Sequence, residues 1–269
     1  MPTYKILYVN QEITPYVDDT YISTIGRFLP QSVQESGIDI RTFMPRYGLV
    51  SERRNQLHEV IRLSGQNIII RDNDHPLIIK VASIPSVRMQ TYFIDNETYF
   101  HRKSILSDPK TGKFHADNDE RAIFFAKGVL ETVKNLGWSP DIIHCNGWIS
   151  CLLPLYVKKV YMDNPLFAFS KVIYSVYNDH FSRELNRSFV PKLKSTNVPV
   201  KEAALYKKAT FESTTKLAID YSDAVVIGHE EVLPEIKDYV FSSGKLHMVH
   251  PQEDFVPDYV ALYEKILES

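Results

Sequence analysis

The sequence is poor in glycine and in cysteine. Glycine supplies 10 of the 269 residues, about half of its usual share of roughly 7% in globular proteins. Loops that hold a phosphate against backbone N–H groups are built from glycine, so few stretches of this chain could form one. The two cysteines, Cys145 and Cys151, lack the spacing of a metal knuckle or a redox pair, and we expect both to be packing residues.

An excess of one charge and long apolar runs are also missing. The 33 acidic and 31 basic residues leave a net charge of −2, which argues against nucleic acid as a partner. No apolar run approaches the roughly 20 residues of a membrane helix, and the segment from Met1 has no signal-peptide pattern. We therefore expect a soluble, cytoplasmic protein that does not contact a membrane.

Strand-like and helix-like patterns alternate along the chain. Apolar runs predict strands at 4–9, 38–44, 141–145, 171–176, 224–227 and 246–249, and helical spacing predicts helices at 20–36, 118–136, 148–162, 201–221, 231–240 and 255–267. Asp117 and Glu120 have the spacing of a capping box for the second helix, which Gly137 should end. The order predicts the α/β class, with a doubly wound, Rossmann-like parallel sheet in a single domain over 1–269.

The segment 57–95 departs from this alternation. Three short β segments, 68–71, 77–84 and 89–94, are separated by Asn73-Asp74 and Pro85-Ser86. Such spacing is typical of hairpins, so the segment is predicted to be a β-hairpin insertion in the domain.

Ligands of open parallel sheets bind beyond the carboxyl ends of the strands. Applied to the predicted strands, this rule selects polar residues on one rim of the sheet. The predicted ligand-binding residues are Glu12, Asp18, His144, Asn146, Tyr177, Asn178 and His229.

The first strand-to-helix turn, residues 10–20, contains no glycine. We expect Asp18 or Asp19 to cap the helix that follows and to occupy its partial positive charge. Their carboxylates would repel a phosphate by about 4 kcal/mol per unit charge at roughly 4 Å near a protein surface. The turn is therefore predicted to reject a nucleotide phosphate.

The remaining polar groups leave alternatives open. His144 could act as an acid or base or bond a ligand hydroxyl, although a histidine at a strand end is more often structural. His247 and His250 should lie on opposite faces of a strand, so we predict no metal site, and we assign no cofactor. The basic segment 183–208 could meet an anionic partner, but it is more often a solvated surface.

Taken together, these segments resemble the N-terminal half of bacterial glycogen synthases and plant starch synthases, which are two-domain GT-B glycosyltransferases. The motifs that carry the resemblance run in the family's order from Tyr4 to about Glu235. They are 5–9 with Glu12 and Pro15, 44–48, 92–102, 117–125, 140–148, 153–156 and 221–225.

Three departures from the family pattern concern the sugar nucleotide. The family's K-T-G-G-L signature, which holds the donor phosphates, is Asp18-Asp19-Thr20-Tyr21-Ile22 here. Its H-A-H-D-W-H run is reduced to His144-Cys145-Asn146-Gly147-Trp148-Ile149, and its V-H-N is Val176-Tyr177-Asn178. Because these groups are replaced, we assign no catalytic residue.

The resemblance implies one GT-B half, in which the helix 255–267 corresponds to the family's C-terminal helix and packs back on the first domain. We expect that the second domain was deleted and this helix kept. The leading hypothesis is a catalytically degenerate domain that binds glucan or another carbohydrate, or that serves as a partner subunit or homodimer. One alternative is an active glucosyltransferase that uses ADP- or UDP-glucose with a partner chain supplying the second domain. The other is an unrelated small-ligand binding or regulatory protein.

Overall fold

A ten-stranded sheet organises the chain. The computed structural model describes residues 4–84 and 87–269. Its strands are β1 Lys5–Asn10, β2 Asp39–Pro45, β3 His58–Glu59, β4 Gln66–Ile70, β5 Asn73–Ile84, β6 Met89–Asp95, β7 Ile142–Asn146, β8 Lys171–Val176, β9 Ala224–Ile227 and β10 Leu246–Val249. They lie in the order β10-β9-β8-β7-β1-β2-β6-β5-β3, and β4 pairs with β5.

The six strands predicted outside the segment 57–95 belong to the parallel part of this sheet. From β10 to β2, every neighbouring pair runs parallel. Their apolar side chains alternate between the two faces, as a strand buried on both sides requires. The predicted doubly wound, Rossmann-like fold is confirmed.

The segment predicted as a hairpin insertion is joined to this sheet. β6 runs parallel beside β2, so the last predicted β segment is a strand of the main sheet. β5 pairs antiparallel with β6 and with β3 and β4, which extends the sheet by hairpins. Asn73 begins β5 instead of forming a turn, and the turn predicted at Pro85-Ser86 lies outside the described residues.

Helices cover both faces of the sheet. They are α1 Tyr21–Glu35, α2 Glu97–Phe100, α3 Asn118–Leu136, α4 Leu153–Leu155, α5 Phe189–Ser195, α6 Val200–Ala204, α7 Phe211–Asp220, α8 Pro234–Ser242 and α9 Val256–Glu268. Within the described residues, none of these helices is long and apolar enough to cross a membrane.

Two predicted helices are broken. In place of one helix over 148–162, the chain forms a 3-10 turn, the short α4 and a π-helical turn at Tyr156–Val160. The helix predicted over 201–221 is divided into α6, a 3-10 turn and α7, because Thr210 starts a new helix through a capping box with Ser213. The helix predicted at 231–240 begins only at Pro234.

The ends of α3 correct one prediction and confirm another. The Asp117 carboxylate makes no cap bond and instead binds Arg102 at 2.6 and 2.5 Å, while Glu120 accepts a hydrogen bond from the Tyr99 hydroxyl. The predicted capping box is therefore wrong, because stronger partners take both carboxylates. Gly137 does end the helix, in the left-handed conformation.

The two faces of the sheet carry separate apolar clusters. Along β1, Leu7 and Val9 belong to one cluster, and Ile6 and Tyr8 belong to the other. The second cluster lies beneath α1 and α9. The last helix supplies four buried side chains to it: Tyr259, Leu262, Tyr263 and Ile266.

The basic segment 183–208 contains α5, which sequence patterns did not predict. Most of its cations are exposed, but Lys192 is buried and lies 2.6 Å from both Asp119 and Glu120 of α3. The expected solvated surface is therefore wrong at this lysine, whose charge compensates a fully buried carboxylate.

We predict that Lys192→Met lowers the free energy of unfolding by about 3 kcal/mol, because Asp119 is left buried without its cation. Urea denaturation at pH 7 measures the change. Lys194→Met is the matched control, since Lys194 lies on the same helix but is exposed, and it should change stability by at most about 0.5 kcal/mol. Equal effects of the two substitutions would contradict the prediction.

Candidate functional site

Side chains at the carboxyl ends of three neighbouring strands are hydrogen-bonded to one another. The register pairs Asn10 at the end of β1 with Asn146 at the end of β7. The Asn146 side-chain Nδ2 donates to Asn10 Oδ1 at 3.0 Å, and the Tyr177 hydroxyl donates to the side-chain Oδ1 of Asn146 at 3.1 Å. All three residues are buried. The predicted residues Asn146 and Tyr177 are therefore brought together, but they contact each other instead of an open crevice.

In the turn after β7, backbone N–H groups are also hydrogen-bonded within the chain. Gly147 has a φ of 82°, and a Cβ there would lie 2.7 Å from the Gln11 side chain. The backbone N–H of Trp148 donates to the Asp179 carboxylate at 2.6 Å, and that of Ile149 donates to the side-chain Oε1 of Gln11 at 3.1 Å. Burial raises the pKa of Asp179 to about 6. Two amides that could have faced a ligand are thus used within the chain.

Glu12 anchors the first turn. Its carboxylate is buried and accepts hydrogen bonds from the Thr20 hydroxyl at 2.7 Å and the Gln11 amide at 3.1 Å. Burial raises its pKa, with a smaller contribution from the charge of Asp18. A Cβ on Gly26 of α1 would lie 2.2 Å from the Glu12 carbonyl oxygen, so the turn packs directly on the helix backbone.

Thr20, and neither aspartate, caps α1. The Ser23 N–H donates to the Thr20 hydroxyl oxygen at 3.0 Å, and the Thr20 N–H donates to the Ser23 hydroxyl oxygen at 2.8 Å. The cap predicted at Asp18 or Asp19 is wrong, because Asp19 binds the Thr14 hydroxyl and Asp18 is exposed. The helix start is nevertheless occupied, by its own capping box.

Both aspartates line an open cleft of about 290 Å³, which we call the first-turn cleft. Its far wall is formed by the segment that follows β2, which contributes one cation. The lining residues are Thr14, Pro15, Tyr16, Val17, Asp18, Asp19, Leu49, Ser51, Arg54 and Asn55.

His144 lies in the core and away from the rim. It is the third residue of β7, and its Nδ1 lies 2.9 Å from the Tyr263 hydroxyl of α9. Its Nε2 lies 2.7 Å from the Ser175 hydroxyl of β8. Burial lowers its pKa to about 3. A fully buried imidazole with a partner on each nitrogen has no position left for a ligand. The sequence signal for this contact is the tyrosine pair Tyr259 and Tyr263, four residues apart on one face of α9.

The other two predicted residues lie after β8 and β9. Asn178 donates to Glu231 at 3.0 Å, and His229 accepts the Glu231 N–H at 3.0 Å. The His229 ring meets Tyr21 edge to face at 4.5 Å. His229 lines a pocket of about 450 Å³ with Tyr21, Thr24, Ile25, Ile227, Gly228, Glu230, Val249, His250, Gln252 and Phe255. Asp18 and His229 thus border different openings.

Sequence reasoning missed a third opening, beside the loop 102–117. Two adjoining cavities of about 520 and 410 Å³ share Lys113, Phe114, Ala116 and Asn186 as lining residues. We call them together the Phe114 groove. A half-buried aromatic residue and an exposed lysine in a loop, Phe114 and Lys113, gave no periodic signal. Within residues 4–84 and 87–269, no group of three His, Cys, Asp or Glu side chains could hold a metal ion.

Comparison with known proteins places these openings in a family context. A family model described as the starch synthase catalytic domain matches residues 5–250. Glycogen synthases from Chlorobium limicola and Chlorobium luteolum are 42% and 41% identical over 175 residues, covering 65% of this chain and 36% of each relative. The chain therefore spans about a third of the length of the curated relatives it matches.

A solved structure extends the comparison to the fold. The catalytic domain of starch synthase IV from Arabidopsis thaliana, bound to ADP and acarbose, is similar with a TM-score of 0.67 at 15% identity. The match covers 84% of this chain and 45% of that one. At this identity the likeness concerns the fold.

We predict that acid weakens the fold through its buried histidines. Burial lowers the pKa of His144 to about 3 and that of His250 to about 4. When the pH falls below the ordinary histidine pKa of about 6.5, these histidines become protonated in the unfolded chain but stay neutral in the folded chain. The free energy of unfolding therefore falls as the pH falls. Between pH 7.5 and pH 5, each of these histidines should cost about 2 kcal/mol of unfolding free energy.

Urea denaturation of the chain and of His144→Asn at both pH values checks this, and the variant should lose about 2 kcal/mol less between them. His247→Gln, which removes an exposed histidine, is the control. An unchanged pH dependence in His144→Asn would refute the prediction.

Proposed function

The chain belongs to the family of starch synthase catalytic domains, and we propose that it is a member that does not use a sugar nucleotide by itself and that binds carbohydrate in the first-turn cleft. The family and the fold rest on the match over residues 5–250 and on the parallel sheet. The loss of donor binding and the choice of ligand are the proposal.

One observation carries it: at the amino terminus of α1, the N–H groups of Thr20 and Ser23 are already bonded within the chain. A helix start binds phosphate when its N–H groups are open and its partial positive charge is uncompensated. Here Ser23 and Thr20 bond each other's backbone N–H groups, and the Thr20 hydroxyl is held by the Glu12 carboxylate. A diphosphate would have to displace these bonds.

Charge adds to this exclusion. Asp18 and Asp19 line the cleft together with one cation, Arg54. Two like unit charges at roughly 4 Å repel by about 4 kcal/mol near a protein surface. A diphosphate in the cleft would meet this penalty at more than one carboxylate, so its affinity should fall by several orders of magnitude.

The same walls suit a neutral polyhydroxyl ligand. Carboxylates accept hydrogen bonds from hydroxyl groups, and the Arg54 guanidinium and Asn55 amide donate to them. Pro15 and the part-exposed Leu49 offer apolar surface to the C–H face of a sugar ring. Because the relatives are glycogen synthases, we take an α-1,4-linked glucan as the carbohydrate.

We predict that isothermal titration calorimetry of the whole chain detects maltotetraose binding and detects neither ADP-glucose nor UDP-glucose. The closed helix start and the two aspartates exclude the nucleotides, whereas the cleft accepts a neutral glucan. A parallel assay of glucose transfer to a glucan primer should give no product. Nucleotide binding with turnover would overturn the proposal in favour of an active glucosyltransferase.

We predict that replacing both aspartates, Asp18→Asn with Asp19→Asn, weakens maltotetraose binding roughly tenfold, since two charge-assisted hydrogen bonds become neutral ones. Asp18→Lys should weaken it further and raise the affinity for ADP-glucose. Calorimetry on each variant measures both effects. Asp163→Asn alters an exposed aspartate that does not line the cleft, and its affinity should match the parent chain. Unchanged maltotetraose binding in the double variant would argue that the glucan binds elsewhere.

A further inference from the structure

We propose that the Phe114 groove is a second binding site, which takes a phosphorylated sugar. The groove lies between the loop 102–117 and the segment 183–186, and its two cavities of about 520 and 410 Å³ have the size of small-molecule sites. That the ligand carries an anionic group is inferred from charge and contacts in the groove alone. That the ligand contains a sugar ring rests also on the proposed carbohydrate function.

Several charged groups in the groove wall already have partners within the chain. Arg102 pairs with Asp117 at 2.5 Å, and Lys192 pairs with Glu120 at 2.6 Å. The Asp108 carboxylate accepts three hydrogen bonds from its own turn, two from backbone N–H groups and one from the Thr111 hydroxyl. Arg102, Asp117 and Glu120 are therefore ion-paired, whereas Asp108 stays anionic and is hydrogen-bonded within its own turn.

Two cations in the wall are not committed. Lys113 and Arg183 are exposed, line the same cavity, and form no ion pair within residues 4–84 and 87–269. Glu184 is the one carboxylate of that cavity's lining. A lysine and an arginine that converge on one cavity favour an anion with several acceptor oxygens, such as a phosphate ester.

The backbone concentrates more positive charge beside the groove. The Leu185 N–H donates to the Ala209 carbonyl oxygen at 2.8 Å, which brings the chain around 183–187 next to Lys207 and Lys208. Both lysines and Arg187 are exposed and also unpaired in the described part of the chain. In a molecule with a net charge of −2, this cluster makes a local positive potential that attracts anions to the groove.

The ring of Phe114, which lines both cavities of the groove, is held in place by other aromatic rings. Phe114 is half-buried, and its ring lies 4.6 Å from that of Phe181, which packs edge to face on Trp148 at 4.7 Å. A ring held in this way can stack on the C–H face of a sugar, and the Asn186 amide of the same lining can donate hydrogen bonds to the sugar's hydroxyl groups. The cavities admit one or two sugar rings, which favours a small sugar phosphate over an anionic polymer.

Calorimetry of the whole chain with glucose 6-phosphate, glucose and inorganic phosphate, at equal ionic strength, tests the proposal. We expect glucose 6-phosphate to bind at least roughly tenfold more tightly than either fragment, because ring and phosphate are held together. Lys113→Gln with Arg183→Gln, and separately Phe114→Ala, should each weaken binding roughly tenfold or more. Circular dichroism confirms that each variant is folded.

The matched control is Lys207→Gln with Lys208→Gln, which removes the same charge outside the groove lining and should weaken binding less than the groove pair. An equal loss would mean that the basic face attracts any anion, and it would overturn the site. Inorganic phosphate binding as tightly as glucose 6-phosphate would overturn the assignment of a sugar. The proposed function is tested separately, by maltotetraose binding to the variants at Asp18 and Asp19. A failure of that proposal can therefore be distinguished from a failure of the sugar phosphate site.

Discussion

Buried polar side chains need partners, and at the carboxyl ends of β1, β7 and β8 they find one another. Asn10, Asn146 and Tyr177 form a chain of hydrogen bonds across three strands, while Gln11 and Asp179 take the amides after β7. This arrangement closes the centre of the rim where an open α/β sheet would receive a ligand. A ligand can still reach the protein at the first-turn cleft, at the pocket lined by His229 and at the Phe114 groove.

The same requirement fixes the last helix on the opposite side of β7. His144 turns towards α9, where the Tyr263 hydroxyl lies between it and the Tyr8 hydroxyl, at 2.9 Å from each. His250, just after β10, bonds Tyr259 one turn earlier on α9. Each tyrosine places a large apolar ring in the core and its hydroxyl on a buried histidine, so packing and hydrogen bonding hold the helix together.

Sequence patterns predicted the secondary structure well where the burial of apolar side chains dominates the free energy of folding. Apolar runs give the bounds of β8 and β9 without error, because both strands are buried on both faces. They also give the bounds of β10, although this strand at the end of the sheet is only partly buried. They failed where local partners compete. Asp117 has the spacing of a cap but bonds Arg102, and Asp19 bonds Thr14, so each cap depends on a contact that spacing does not encode. His144 was assigned to the rim because a strand's end was known and its side-chain direction was not.

The first-turn cleft and the Phe114 groove differ in charge, and the charge of each opening determines which kind of ligand it suits. At the first-turn cleft, two aspartates face one arginine, so an ion of either sign leaves some wall charge unmatched, whereas hydroxyl groups satisfy both signs. At the Phe114 groove, Arg102 is paired with Asp117 and Glu120 with the buried Lys192, while Lys113 and Arg183 form no ion pair in the described part of the chain. The proposed glucan and the proposed sugar phosphate thus differ in the charge they require, and local differences in charge allow both in a chain whose net charge is close to zero.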